Sequence, residues 1–166
     1  MKIGLISDTH GVFGEQFKEF FEDVDVIWHA GDFGGSTAFA QEIRAFKPLV
    51  GVYGNCDGWD YRMEFPEYQL LQLQGLKILM THIGGSPGHY YPQARKLIRE
   101  HRPDIFICGH SHILKVMRDE SENLLYINPG AAGLQGWQVF RTALRFSIED
   151  GEIKDMEVFK LELSNA

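Results

Sequence analysis

Short apolar runs, each ending in a small polar or glycine-bearing motif, recur along the first two thirds of the chain. Ile3 to Ser7 delivers Asp8-Thr9-His10-Gly11, Val24 to Ala30 delivers Gly31-Asp32, and Leu49 to Tyr53 delivers Gly54-Asn55. Runs this short, bounded by turn residues, read as buried strands rather than helices. Between them the period changes. Phe17, Phe20 and Phe21 within Glu15 to Glu22 fall on one helical face, and Ser36 is placed to cap a helix through Ala45 that stops near Pro48.

Strand, loop and helix in alternation predict an α/β fold, with a parallel or mixed sheet that binds ligands beyond the carboxyl ends of its strands. From Tyr68 the pattern predicts a hairpin, Tyr68 to Leu73 and Leu76 to Met80 around Gln74-Gly75, whose second arm runs into Thr81-His82. A helix over Pro92 to His101 ends at Pro103, and Ile105 to Cys108 delivers Gly109-His110-Ser111-His112. The last third is strand-rich: Lys115 to Arg118, Leu124 to Asn128, Ala143 to Ile148 and Ile153 to Leu161. Its turns are expected at Glu122-Asn123, Asn128-Pro129-Gly130 and Asp150-Gly151. No linker, low-complexity tract or repeat interrupts the chain, so one domain over residues 1–166 is expected, two layers of sheet flanked by helices.

Composition narrows the function classes. With 44% hydrophobic and 23% charged residues, the 166-residue chain is of ordinary globular type and long enough to bury about 70% of its unfolded surface. A net charge of -7 argues against an extended nucleic-acid surface, so any polyphosphate or nucleic acid must be caught locally, where bound cations could reverse the sign, and a small phosphate ester is the size of partner expected. Cys56 and Cys108 read as reduced thiols. Met1 to Ser7 enters an acidic motif without a secretory h-region, and no stretch approaches the roughly 20 apolar residues of a membrane span; cytoplasmic residence without a membrane partner is the expectation. Oligomeric state is not readable from the pattern.

The polar motifs hold nearly all the metal-ligand chemistry. Asp8 and His10, like His110 and His112, stand at i and i+2, and in extended backbone such side chains share a side, so each pair would bite one centre. A carboxylate with an imidazole suits manganese, iron, zinc, nickel or cobalt rather than calcium. Asp32, between glycines, is the candidate bridging carboxylate for two ions about 3.5 to 4 Å apart, Asn55 offers an amide oxygen, and His82 follows a strand end. His29, inside a strand, reads as a core or supporting residue, while His89 and His101 read as loop and helix-surface residues. Trp59, Tyr61 and Arg62 are placed in a loop after Asp57, either within reach of a leaving group or simply packed.

The order Asp-x-His, Gly-Asp, Gly-Asn, a lone His after a strand, then Gly-His-x-His resembles the calcineurin-like metallophosphoesterase superfamily. The length and Gly54-Asn55-Cys56-Asp57 resemble its small YfcE-type phosphodiesterases. The resemblance runs from Lys2 to about Ala131. It implies a four-layer α/β/β/α sandwich of two mixed sheets flanked by helices, with a dinuclear site at the strand ends. It also implies one ion on Asp8, His10, Asp32 and His112 and the other on Asp32, Asn55, His82 and His110, manganese being the first choice of metal. Within that site Asp32, Asn55 and Asp57 are the expected catalytic participants, and Asn55 and His82 the expected substrate contacts.

The implied reaction is hydrolysis of a phosphodiester by in-line attack of a metal-bridging hydroxide. One departure stands out: many members carry His directly after Gly-Asn as the acid for the leaving group, and this chain has Cys56. A thiol of ordinary pKa is a poor substitute near pH 7, which leaves Asp57 or a good leaving group to serve. Rival expectations are a scaffold with little catalysis, as in the retromer subunit of similar fold, and a two-metal hydrolase of non-phosphate bonds.

Overall fold

The computed structural model describes residues 1–163; the last three residues of the expected 1–166 domain lie outside them. The elements are β1 (Lys2–Ile6), α1 (Glu15–Phe20), β2 (Val26–His29), α2 (Thr37–Phe46), β3 (Leu49–Gly51), α3 (Trp59–Glu64), β4 (Tyr68–Leu73), β5 (Leu76–Thr81), β6 (Gly85–Ser86) and β7 (His89–Tyr90). They continue with α4 (Pro92–His101), β8 (Ile105–Ile107), β9 (Leu114–Asp119), β10 (Leu124–Pro129), β11 (Phe140–Glu149) and β12 (Glu152–Glu162). Two mixed five-stranded sheets form, ordered β12-β11-β1-β2-β3 and β4-β5-β8-β10-β9, with a small β6-β7 hairpin.

Period-two alternation explains how they stack. Ile3, Leu5, Val26, Trp28, Leu144 and Phe146 of the first sheet meet Ile78, Met80, Ile105, Ile107 and Ile127 of the second in one buried cluster. On the opposite face of the first sheet, Ile6, Ile27 and Ala143 pack against Phe17, Phe21, Ala40, Ile43 and Tyr61 from α1, α2 and α3. On the outer face of the second, Leu79, Phe106 and Tyr126 pack against Ala94, Leu97 and Ile98 of α4. Three apolar interfaces thus make the α/β/β/α layering that the resemblance implied. Because the central strands are buried on both faces, they read as continuous apolar runs.

Several local expectations are corrected. Residues Trp59–Glu64 are a helix rather than a loop. Ser36 precedes α2, but its side chain makes no capping bond; the Thr37 N–H donates to Asp60 Oδ2 instead, at 3.2 Å. Asn128 and Pro129 continue β10, where Pro129 pairs with Leu114, so the turn begins only at Gly130. The Gln74-Gly75 and Asp150-Gly151 turns stand as expected, all four residues at positive φ.

Candidate metal centre

β1, β2 and β3 run parallel in one sheet, as do β5 and β8 in the other, so the five motifs leave their strands at carboxyl ends. Asp8, His10 and His112 come together as one set of possible ligands, and Asp32, His82 and His110 as a second; within each set the ligand atoms lie within 4.8 Å of one another. Each set draws on both sheets. Asp8 and Asp32 come from one, and the histidines after β5 and β8 from the other.

The grouping corrects the spacing argument. Asp8 and His10 do share a centre, but His110 and His112 divide between the two. Neither pair is extended: φ is 53° at Asp8, 46° at His10, 71° at His110 and 63° at His112, and Asp32 stands at 58°. Such left-handed backbone at non-glycine residues costs roughly 1 kcal/mol or more each and clusters at functional sites. It turns the side chains in directions that strand geometry does not predict.

The carboxylates are oriented by one oxygen each. Asp8 Oδ2 accepts from the Ser7 hydroxyl at 2.6 Å and the His110 N–H at 3.1 Å, while Oδ1 faces His112 Nε2 at 3.1 Å and the Nε2 atoms of His82 and His10 at 3.8 and 3.9 Å. Asp32 Oδ1 accepts from the Cys56 N–H at 2.8 Å, and Oδ2 lies 3.2 Å from His82 Nε2 and 3.8 Å from His10 Nε2. Asp32 Oδ2 therefore sits between a histidine of each set, where a shared ligand would have to be.

His82 tests whether a metal fits. Its Nδ1 lies 2.7 Å from the Ala30 carbonyl oxygen, to which it donates, so Nε2 is the nitrogen left for a cation or, without one, for the proton that, against burial, the Asp32 and Asp8 carboxylates favour. That Nε2 is buried and has no hydrogen-bond partner among the described residues. A buried polar atom left unpaired costs about 1–3 kcal/mol, and a cation at that atom removes the cost. The donor set, two carboxylates and four imidazoles, suits borderline divalent ions.

The calcineurin-like phosphoesterase superfamily domain matches residues 1–151. The chain belongs to this superfamily. A protein named "Probable metallophosphoesterase" from Methanothermobacter thermautotrophicus is 33% identical over 141 residues, covering 79% of this chain and 77% of that protein. Among solved structures, one titled as a novel archaeal phosphodiesterase superposes with a TM-score of 0.73 at 25% identity over 97% of this chain and 100% of that one. Vps29 complexed with Zn2+ from Entamoeba histolytica has a TM-score of 0.74 at 16% identity over 99% and 100%, a likeness of fold. Members of this calcineurin-like family bind divalent metals, and two candidate ligand sets lie at the strand ends here.

Electrostatics in this superfamily member follow from the packing. For Asp8 burial works against ionisation, but the His112 hydrogen bond and the charge of His82 outweigh it and hold the carboxyl below its ordinary range. Asp32 is likewise lowered: against burial stand the contact with His82 and the Cys56 N–H. His112 is raised mainly by its bond to Asp8, whereas His110 is lowered by burial and by repulsion from His82. His29 is fully buried, stacked on Phe33 with ring centroids 3.7 Å apart, and burial pushes its pKa down to about 3. It lies beneath the site as a core residue.

Sequence reasoning missed Gln138. Its Oε1 lies 3.0 Å from His112 Nδ1, and its amide nitrogen donates to the Gln135 carbonyl at 2.6 Å, which fixes the orientation. It comes from a glycine-containing loop before β11 with no ligand-type residue to mark it. Gly31 had a clearer signal: φ is 102°, and a Cβ there would stand 2.6 Å from His82 Nδ1.

Two expectations after β3 change. Asp57 is buried, and its carboxylate accepts the N–H groups of Phe33 at 3.2 Å, Gly34 at 3.1 Å and Gly54 at 2.9 Å. Both oxygens are engaged as acceptors, so it ties two site loops together rather than holding a proton for a leaving group. Tyr61 is fully buried and donates to the Gly34 and Ser36 carbonyls at 2.7 Å, which removes it from substrate contact. Asn55 is exposed, its amide nitrogen 3.6 Å from the Cys56 thiol, and it lines a cleft with His82.

Proposed function

We propose that this chain is a dinuclear-metal-dependent phosphodiesterase acting on small phosphodiesters, as one domain over residues 1–166. The supporting observation is the unpaired, buried Nε2 of His82 aimed at Asp32 Oδ2, beside a second ligand set that shares its neighbours. Asp8, His10, Asp32 and His112 would hold one ion, and Asp32, Asn55, His82 and His110 the other, with Asp32 shared and Asn55 turning its amide oxygen inward. Two bound divalent ions, manganese in the first instance, supply a lowered pKa for water and neutralise charge on the attacking and leaving oxygens.

The chain's own groups do the rest. Ser7, the Cys56 N–H and the His110 N–H hold the outer carboxylate oxygens, so the inner ones need no reorientation during reaction. Water oxygen joins phosphorus as the bond to one ester oxygen breaks; that arm leaves as an alcohol and a phosphomonoester remains. Neither residue that follows Asn55 is placed to protonate the leaving oxygen. The Cys56 thiol is pushed up by burial and by the Asp32 carboxylate, and Asp57 is engaged with backbone. Substrates with good leaving groups are therefore favoured.

Asp32→Ala tests the reading. It should abolish hydrolysis of bis-p-nitrophenyl phosphate under manganese and lower the bound metal by at least one ion per chain. A metal-loaded Asp32→Ala protein with wild-type turnover would exclude the shared-carboxylate assignment. Two bound ions with no turnover on any ester would favour a scaffold.

A further inference from the structure

Two clefts flank the ligand sets, and one residue lines both. The first, about 490 Å3, includes Tyr53, Arg62, Ile83 and Pro92 and reaches His82; the second, about 480 Å3, includes Ser86, His89, Ser111 and Lys115 and reaches His110. His82 and His110 are neighbours, with ring centroids 5.3 Å apart, edge to face. Tyr91 lines both clefts and is half exposed. Its backbone is fixed: the N–H donates to the Gly84 carbonyl at 3.1 Å, and its own carbonyl accepts the Arg95 N–H at 2.9 Å as the cap of α4. A group bound at the His82–His110 pair would thus have one hollow on the His82 side and one on the His110 side, with Tyr91 in the lining of both.

The two hollows differ in chemistry. In the first, the Arg62 guanidinium lies 4.8 Å over the Tyr53 ring, and its Nε donates to the Asp57 carbonyl at 3.2 Å. Its plane is set before any ligand arrives. A flat cation over a flat ring, bordered by Ile83 and Pro92, suits a planar aromatic group, since guanidinium planes and tyrosine rings both stack on bases. The carboxylate of Glu67 in this cleft is already engaged by the Gln93 amide at 3.0 Å, which lessens repulsion toward an anionic ester. In the second hollow, Lys115, His89 and two serine hydroxyls suit a polar or anionic group.

We propose that the site takes an asymmetric phosphodiester whose planar heteroaromatic arm lies in the Tyr53–Arg62 cleft and whose polar arm lies in the Lys115 cleft, with Tyr91 lining both. The inference rests on the phosphodiesterase reading for the position of the phosphate, and adds the arms. Arg62 and Tyr91 act in specificity.

The test holds the leaving group constant and changes the arm. The p-nitrophenyl esters of thymidine 5′-phosphate and of methyl phosphate are compared on the manganese-loaded protein, and binding of thymidine 5′-monophosphate is measured by calorimetry. The thymidine ester should be preferred by roughly tenfold in kcat/KM, carried by KM, the size expected for one stacked base. Arg62→Ala and Tyr91→Ala should bring that preference toward one and weaken nucleotide binding about as much, with metal content unchanged, while Tyr91→Phe keeps both. Equal losses on the two esters, or no preference in the wild type, would overturn the inference and leave the phosphodiesterase reading standing. Failure to hydrolyse either ester, with Arg62-dependent nucleotide binding intact, would overturn that reading and uphold the arm assignment; absence of both removes the inference.

Discussion

His82 Nε2 stands 3.2 Å from Asp32 Oδ2 with no hydrogen bond between them, although both residues are buried. The two residues leave different sheets, Asp32 after β2 and His82 after β5. An ion between them would pin the layers together as well as satisfy the nitrogen. Manganese should therefore stabilise the fold: at a hundredfold excess over Kd one site contributes about 2.7 kcal/mol, a Tm rise of roughly 5–10 °C, reversed by a chelator. Thermal denaturation with and without metal measures it, and an unchanged Tm at saturating metal would contradict the assignment. The gain should fade in acid. With His112 Nδ1 donating to Gln138, a bond from Nε2 to Asp8 requires the doubly protonated ring, so an ion must displace a proton whose pKa is raised above 6.5. Metal affinity should fall as pH drops through that raised value, by about tenfold per unit per displaced proton.

Gln138 orients one ligand from outside. Its carbonyl oxygen receives the His112 Nδ1 proton and keeps Nε2 turned toward Asp8. Gln138→Ala should weaken metal binding by about 10 to 100 fold, as loss of such supporting partners generally does, with little change in stability of the metal-free protein. Titration with manganese would read both, and an unaltered Kd would reduce Gln138 to a loop contact.

What could be read from the chain depended on how far each feature is governed by neighbours in sequence. The central strands were legible because Ile3, Leu5, Trp28, Met80 and Ile107 are buried between the sheets while alternate residues are buried beneath helices. The α3 helix was not: its six residues contribute Tyr61 as their one buried position, too little for a helical period. The candidate ligands were legible as residue types, but the division of His110 from His112 comes from left-handed backbone, which spacing does not encode. Gln138 meets His112, and Asp57 meets Phe33 and Gly34, across more than 20 residues of chain, which local pattern does not reveal.

Asp57 separates positioning from acid catalysis. Asp57→Asn replaces one acceptor oxygen with an NH2 group facing backbone donors, so at least one of the bonds to Phe33, Gly34 and Gly54 is lost. A charge-assisted bond of this kind contributes about 1.5–3 kcal/mol, and urea denaturation should show a loss of that size. Activity per metal-loaded molecule should fall through misplacement of Asp32, with the shape of the pH–rate profile retained. Loss of one limb of that profile in a fully stable variant would restore Asp57 as the acid.

His29 gives the fold a measurable acid sensitivity. Its Nδ1 accepts the Gly31 N–H at 3.1 Å, and its Nε2 donates to the Thr9 hydroxyl at 2.9 Å, which passes its own proton to the Phe33 carbonyl at 2.7 Å. Every polar atom of the neutral ring is satisfied, and a second proton would displace the Gly31 N–H in a fully buried setting. The pKa accordingly falls from 6.5 to about 3 on folding. The sign follows: between those values the unfolded chain binds a proton that the folded protein does not, so stability is full above pH 6.5 and declines as pH falls toward 3. The slope from this one residue is up to about 1.4 kcal/mol per pH unit. His29→Gln removes the titration. It should cost stability at pH 7 through lost packing on Phe33, and show a shallower decline in acid than the wild type. Parallel stability curves for the two proteins between pH 6.5 and 4 would mean that His29 is protonated in the folded state.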